Sequence, residues 1–387
     1  MTFGLYTHAT IVLASCCYLC APLWAQSALS ETGLEDRRFA GVSVMVAEAI
    51  AARKTPGAVV VFANRNDVLF AQSYGDRQVE PGREAMTLDT VFDLASITKP
   101  VATGMSVMKL VDDGKVSVND TVAKYVPEFG KHGKDKITIA QLLTHMGGLI
   151  PDNALSDYQD GQAKAWQRIC DLKLRSPPGQ KFAYTDVGFI VLGKLVQEVS
   201  GVSLDRFAKE NLYGPLGMND TMFDPPESLR KRAAATERRG GKMIRGEVHD
   251  PRAYAMDGVA GHAGLFSTAG DLVRFGQMML GSGKLGDTRI LSDKTFATMI
   301  KPRDIRRGTR AYGWDHQSPY SRNRGTAFSD TAIGHGGFTG TVFWVDPDQD
   351  LIFIFLATRL HPDGKGSVNA LAGEIATMVT KKIVSTR

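Results

Sequence analysis

Phe92-Asp93-Leu94-Ala95-Ser96-Ile97-Thr98-Lys99-Pro100 is the stretch from which the rest of the chain can be read. A serine hydroxyl is a poor nucleophile at its free pKa and needs a base close by. Residues three apart on a helix share a face, so Ser-x-x-Lys sets an amine beside the hydroxyl. Pro100 is tolerated in a first helical turn, and the predicted helix therefore starts at Ser96 itself. The hydroxyl then sits at the positive end of the helix dipole, which favours an alkoxide-like charge.

The pattern alone is ambiguous, because Ser-x-x-Lys recurs at Ser106/Lys109 and Ser228/Lys231. Tyr-x-Asp likewise occurs at Tyr74, Tyr158 and Tyr184. Context separates them. Ser106 falls in the middle of the helix that Ser96 starts, and Ser228 falls in the basic, Pro-containing run from Pro225 to Arg232. Ser96, Tyr184-Thr185-Asp186 and His335-Gly336-Gly337 each sit at the edge of a predicted element. Tyr184 adds a second titratable group, and the paired glycines let backbone N–H groups approach a substrate oxygen.

This three-part arrangement resembles the serine β-lactamase and penicillin-binding-protein superfamily, in its class C branch. That branch includes β-lactamase-like esterases, D-aminopeptidases and exo-acting N-acetylmuramyl-L-alanine amidases. Supporting stretches are Leu142 to Leu149, Phe182 to Phe189, Gly261 to Thr268 and Gly334 to Gly340. The resemblance implies that Ser96 is the nucleophile and forms an acyl-enzyme, with Lys99 hydrogen-bonded beside it. It implies Tyr184 as general base and then acid, and the N–H groups of Ser96 and Phe338 as the oxyanion hole.

Two positions depart from the β-lactamase pattern. Asp186 stands where β-lactamases carry Asn, and a carboxylate near Lys99 favours the charged ammonium. His335 replaces a lysine and is near-neutral at pH 7. The changes add anionic character at Asp186 and remove cationic character at His335, which points to a substrate lacking the carboxylate of a β-lactam. Arg303, Arg306 and Arg310 are candidates to take that lysine's part. His262, among small residues, lines the cleft or is a satisfied structural imidazole. His145 is expected to be structural, capping the last carbonyls of the helix before it. Metal binding is not expected, since no histidines have i, i+4 spacing.

The function expected is an exported serine hydrolase that cleaves an amide or ester through an acyl-serine, on cell-wall-derived muramyl peptide. A β-lactamase-like carboxylesterase stays open, as does a class C β-lactamase or catalytically silent penicillin-binding protein. No cofactor is implied. The net charge of +5 comes without a dense basic block, so Arg230-Lys231-Arg232 and Arg306-Arg307 read as solvated loops, not as a nucleic-acid site. The first 26 residues carry no Asp, Glu, Lys or Arg, and an apolar run from Ala9 to Leu19 precedes Ala25. Residues 1–25 thus read as a signal peptide, giving a periplasmic or secreted protein. Leu13-Ala14-Ser15-Cys16 also resembles a lipobox, which would anchor the chain to a membrane at Cys16. Cys170 is the one cysteine beyond the leader and reads as a buried small hydrophobe.

Two β-rich runs around Asn64-Arg65-Asn66-Asp67 predict one hairpin, and two around Asp346 to Asp350 predict another. Helical spacing marks 139–144, 163–174, 187–199, 204–212, 269–280 and 366–382. The fold expected is an α/β sandwich: one antiparallel sheet from both chain ends, flanked by helices, with an inserted all-helical lobe. Residues 26–115 and 306–387 form the α/β part of a single β-lactamase-like domain, and 116–305 the mainly helical part.

Overall fold

The computed structural model describes Met1 and residues 29–386. The cleavage site expected after Ala25 and the Cys16 lipobox lie outside the described residues. Nine strands form the main sheet: β1 (Gly57–Ala63), β2 (Val68–Gln78), β3 (Glu84–Ala85), β4 (Arg303–Ile305), β5 (Gly308–Arg310), β6 (Asp315–Gln317), β7 (Ile333–Gly336), β8 (Thr341–Asp346) and β9 (Leu351–Ala357). Their spatial order is β4-β5-β6-β7-β8-β9-β1-β2-β3, antiparallel throughout. Both expected hairpins are present. They join where β9 pairs with β1, setting Val60 opposite Phe355.

Every residue of β1 and β9 is buried, which is why both read as unbroken apolar runs. Successive side chains point to opposite faces. Val59, Val61, Ile352, Ile354 and Leu356 join the larger core, which extends into the helical lobe. Val60, Phe62, Phe353 and Phe355 join the second, under helices α1 (Ala40–Ala51) and α5 (Asn369–Ser385). Helix α2 (Met105–Asp112) continues from the Ser96 segment, α3 (Asp186–Ser200) follows Tyr184, and α4 (Ala269–Leu280) lies on the sheet. A Cβ at Gly276 of α4 would stand 2.9 Å from the Ile352 side chain, so helix and strand backbones meet closely there.

Three features differ from expectation. Helix α1 was not anticipated: Val42, Val46 and Ala49 have helical spacing, but the exposed Val44 and the partly buried Met45 blur it. The sheet resumes at Arg303, ahead of 306, through β4, β5 and β6, which are three residues each and too short and polar to show alternation. The inserted lobe is not all-helical. Phe92–Asp93 and Met222–Phe223 both pair with Leu265–Ser267, and Ala235–Arg239 pairs with Lys242–Arg245.

Phe353→Ala should lower the unfolding free energy by about 3–5 kcal/mol, the usual cost of emptying a large aromatic site in a core. Val44→Ala, on the exposed side of α1, should stay within about 0.5 kcal/mol. Urea unfolding midpoints of the two variants decide whether the α1/α5 layer is a packed core.

Candidate active site

Asp93 builds the turn that presents Ser96. Its carboxylate accepts the Ala95 amide at 2.8 Å and the His249 amide at 2.7 Å. Ala95 has φ of +47°, a left-handed conformation costing about 1–3 kcal/mol that persists where neighbours fix it. The helical turn therefore begins at Ala95, one residue before the position expected. It runs tight to Ile97, widens to π-type bonding over Lys99–Gly104, and becomes α2 at Met105. Such wide turns are common at functional sites.

The third motif is pinned to this turn from the sheet. Thr339 Oγ1 donates to the Asp93 carbonyl at 2.7 Å, and Thr341 Oγ1 to the Leu94 carbonyl at 3.1 Å. A Cβ on Gly337 would stand 2.4 Å from the Leu94 carbonyl oxygen, and one on Gly336 2.2 Å from Asn323 Nδ2. Glycine is thus required at Gly337 by close approach to backbone, while at Gly336 a larger residue would have to displace the Asn323 side chain. Phe338 follows, 59% exposed, with the Arg359 guanidinium 4.3 Å from its ring centroid and Arg359 Nε donating to its carbonyl at 2.6 Å.

Lys99 is fully buried. Its ammonium donates to Ser96 Oγ at 3.0 Å and to the His262 carbonyl at 3.1 Å, and pairs with Asp186 Oδ1 at 2.6 Å. Burial works against its charge, but Asp186 and then Tyr184 outweigh it and hold the pKa above the ordinary lysine value. Asp186 is held below its ordinary value, because Lys99 and His262 overcome its own burial. The effect of Asp186 expected from sequence is therefore present as a direct ion pair.

Tyr184 lies over this pair, with its ring centroid 4.9 Å from Lys99 Nζ. Its phenol is in hydrogen-bonding reach of Ser96 and Lys99; burial raises its pKa and Lys99 draws it back. The ring stacks on His145 at 4.4 Å and meets the exposed Tyr320 at 5.0 Å. His145 thus does not cap its helix. Thr144 Oγ1 takes the Ala140 carbonyl at 2.8 Å, while His145 Nδ1 accepts the Thr185 amide at 3.1 Å and its ring backs the tyrosine.

The His262 imidazole is buried, with Nε2 2.9 Å from Asp250 Oδ1 and Nδ1 without a partner among the described residues, and its carbonyl accepts from Lys99 Nζ at 3.1 Å. Asp186, Asp250 and His262 offer ligand atoms within 4.8 Å of one another. A cation there would compete with the Lys99 ammonium for Asp186. Asp250 lies far from either partner in sequence, which is why spacing gave no sign of the group.

His335 is buried, with Nδ1 2.8 Å from the Gly336 carbonyl. Burial, then Arg310 and Lys99, push its pKa well below the ordinary value, so it is uncharged at neutral pH. The expected shortage of positive charge needs correction, because Arg310 is fully buried 6.0 Å from the Tyr184 ring centroid. Of the other two arginines, Arg303 is committed to the Thr298 and Lys301 carbonyls and Arg306 is exposed. Of the other two Ser-x-x-Lys matches, Ser106 is buried within α2 as expected, whereas Ser228, expected in a loop, is an exposed residue of the short helix Glu227–Arg230. Cys170 is buried, its thiol pushed up to about 11 by that burial. Sequence reasoning missed Asp93, Asp250 and Tyr320. An Asp two residues before a strained turn was a readable signal for the first; the others come together only through tertiary contact.

With this geometry in place, the comparisons with known proteins fix the family. The Beta-lactamase family profile matches residues 42–377, and the chain belongs to that family. The N-acetylmuramyl-L-alanine amidase of Bacillus subtilis (strain 168) is 33% identical over 343 residues, 79% of this chain and 78% of the relative. An Escherichia coli O157:H7 protein named as a candidate D-alanyl-D-alanine carboxypeptidase is 30% identical over 397 residues, 92% of this chain and 90% of the relative. Among solved structures, a penicillin-binding protein homologue from Caulobacter crescentus superposes with a TM-score of 0.72 at 22% identity, over 92% of this chain and all of that one. The hydrolase EstCE1 superposes with a TM-score of 0.71 at 21% identity, over 90% of this chain and 99% of that one. The protein is a β-lactamase-fold hydrolase, related to amidases and carboxypeptidases.

Asp186→Asn should let the Lys99 pKa fall by about a unit or more, since burial would then act with less opposition. If the ammonium is the working form, the alkaline limb of kcat/KM moves to lower pH. An unmoved limb would mean that the ion pair serves folding only.

Proposed function

We propose that the protein is an exported serine hydrolase that cleaves an amide of a cell-wall-derived muramyl peptide through an acyl-Ser96 intermediate. The observation that carries this reading is the Lys99 ammonium held between Ser96 Oγ at 3.0 Å and Asp186 at 2.6 Å, beneath Tyr184. An ammonium so held is a poor proton acceptor, so the base role passes to Tyr184. Burial favours the neutral phenol, so it is the minor ionised form of Tyr184, stabilised by Lys99, that takes the Ser96 proton as Oγ bonds to the substrate carbonyl carbon. The resulting oxyanion is met by the amides of Ser96 and Phe338; one such donor is typically worth about 3 kcal/mol. Tyr184 returns the proton to the leaving amine as the C–N bond breaks. Water, deprotonated by the same tyrosine, then cleaves the acyl-serine, and Ser96 recovers its proton.

The choice of substrate is supported by the amidase relative and by the uncharged, apolar residues 1–25, which suit export to the periplasm or medium. An uncharged His335 favours a second reading, a carboxylesterase acting on neutral substrates. Short p-nitrophenyl esters compared with muramyl peptides, with nitrocefin alongside, separate the two.

Ser96→Ala should reduce turnover of the best substrate by about three to six orders of magnitude, as for nucleophiles acting within a unit. It should also abolish labelling by a fluorophosphonate, which peptide mapping places on Ser96 in the unchanged protein. Labelling that persists in the variant refutes the assignment. For export, intact-mass analysis with thiol counting should give a mature chain beginning near Gln26 with one thiol; a lipidated Cys16 would instead anchor it.

A further inference from the structure

We propose that Arg310 is the fixed cation of this site, a positioning residue that supplies from behind His335 and Tyr184 the permanent charge the third motif lacks. The proposal rests on the reading of Ser96 and Tyr184 given above. Arg310 pairs across the sheet with Asp315, which in turn pairs with Gly334, the residue before His335. The guanidinium is therefore brought in from β5, two strands away from β7, and is invisible to a search for the motif itself.

Its surroundings are not those of a structural arginine. The side chain is 0% exposed, and Nη1 lies 3.3 Å from Asp315 Oδ1. Nε, Nη1 and Nη2 are all buried without a hydrogen-bond partner among the described residues. Leaving such donors unmet destabilises a fold, so reinforcement of the core does not explain the residue. Asp315 is also shared. Its Oδ1 accepts the His316 amide at 3.0 Å and its Oδ2 the Ser321 hydroxyl at 2.9 Å, which leaves the cation incompletely compensated.

What the cation faces is the catalytic wall. Its Cζ is 6.0 Å from the Tyr184 ring centroid and 5.9 Å from that of Phe182. Tyr184 lies between His145 at 4.4 Å and His335 at 6.0 Å, and Nε2 of each imidazole is buried and unpartnered. The charged and titratable groups facing His335 are Arg310, Lys99, Asp186, His145 and Tyr184. For both histidines, burial is the first cause of a lowered pKa and Arg310 the next. A fixed charge thus stands in place of one that would come and go with pH. The electrostatics at the third motif stay constant over the range in which an ordinary histidine titrates.

The test uses the full mature chain with 13C-labelled histidine, with titration followed by NMR alongside the pH dependence of kcat/KM on a neutral ester. In Arg310→Met the His335 and His145 resonances should begin to titrate at higher pH than in the unchanged protein. A new acid limb should appear, with activity at pH 5 reduced about ten-fold for each unit by which the titration midpoint exceeds it. Arg310→Lys, which keeps a charge, should restore the original profile. Asp315→Asn, which leaves the cation less compensated, should not raise either midpoint, and it carries the test if Arg310→Met does not fold. Unmoved resonances in Arg310→Met, an upward shift in Asp315→Asn, or a defect confined to KM for carboxylate-bearing substrates would each overturn the proposal. The NMR midpoints do not depend on turnover, so a failure of the Ser96 assignment would be seen separately, in Ser96→Ala.

Discussion

A buried ammonium bonded to a partly buried carboxylate organises this protein. Taking Lys99 out of water is expensive, and Asp186 is what makes its charge tolerable. That one contact ties the Ser96 turn to the first residue of α3, and so joins the Ser96 segment to the helical lobe. The His262 carbonyl, Tyr184 and Asp250 take their positions around it. Removing either partner would leave an uncompensated charge in the interior, which is a larger disturbance than the loss of one hydrogen bond.

The sheet contributes a second constraint of a different kind. Its central strands are purely apolar and fix a rigid platform, whereas β7 carries the polar and glycine residues that approach the Ser96 turn. Thr339 and Thr341 reach across to the carbonyls of Asp93 and Leu94, while Gly336 and Gly337 leave room for that approach. The strained Ala95 is held by Asp93 from one side and by this strand from the other. In the role proposed for it, Ser96 so placed needs no reorganisation of its backbone before reacting, which is the advantage of a preorganised site.

Much of this was legible in the sequence, for identifiable reasons. The two hairpins could be read because their strands are buried on both faces and so appear as long apolar runs. Helix α4 could be read because its apolar positions keep helical spacing. Ser96, Lys99, Tyr184 and Asp186 could be singled out because short-range spacing carries their geometry. Residues joined only by tertiary contact gave no such sign: Asp250 to His262, Tyr320 to Tyr184, Arg310 to His335. His145 was misjudged because a histidine at a helix end has a local explanation, and Thr144 had already taken it. The short strands β4 to β6 at one end of the sheet escaped notice because runs of three mostly polar residues do not make a pattern.

The pairing of β9 with β1 has a consequence for how the chain comes to be folded. The most deeply buried strand of the sheet lies near the start of the described chain, and its neighbour lies near the end. Until Leu351 to Ala357 has been synthesised, Gly57 to Ala63 has an open edge where its partner belongs. Contacts of such long sequence separation form slowly, and an apolar strand left with an open edge invites association with other chains. The sheet can close only when the whole polypeptide is available, so this architecture suits a chain whose folding is deferred until synthesis is complete.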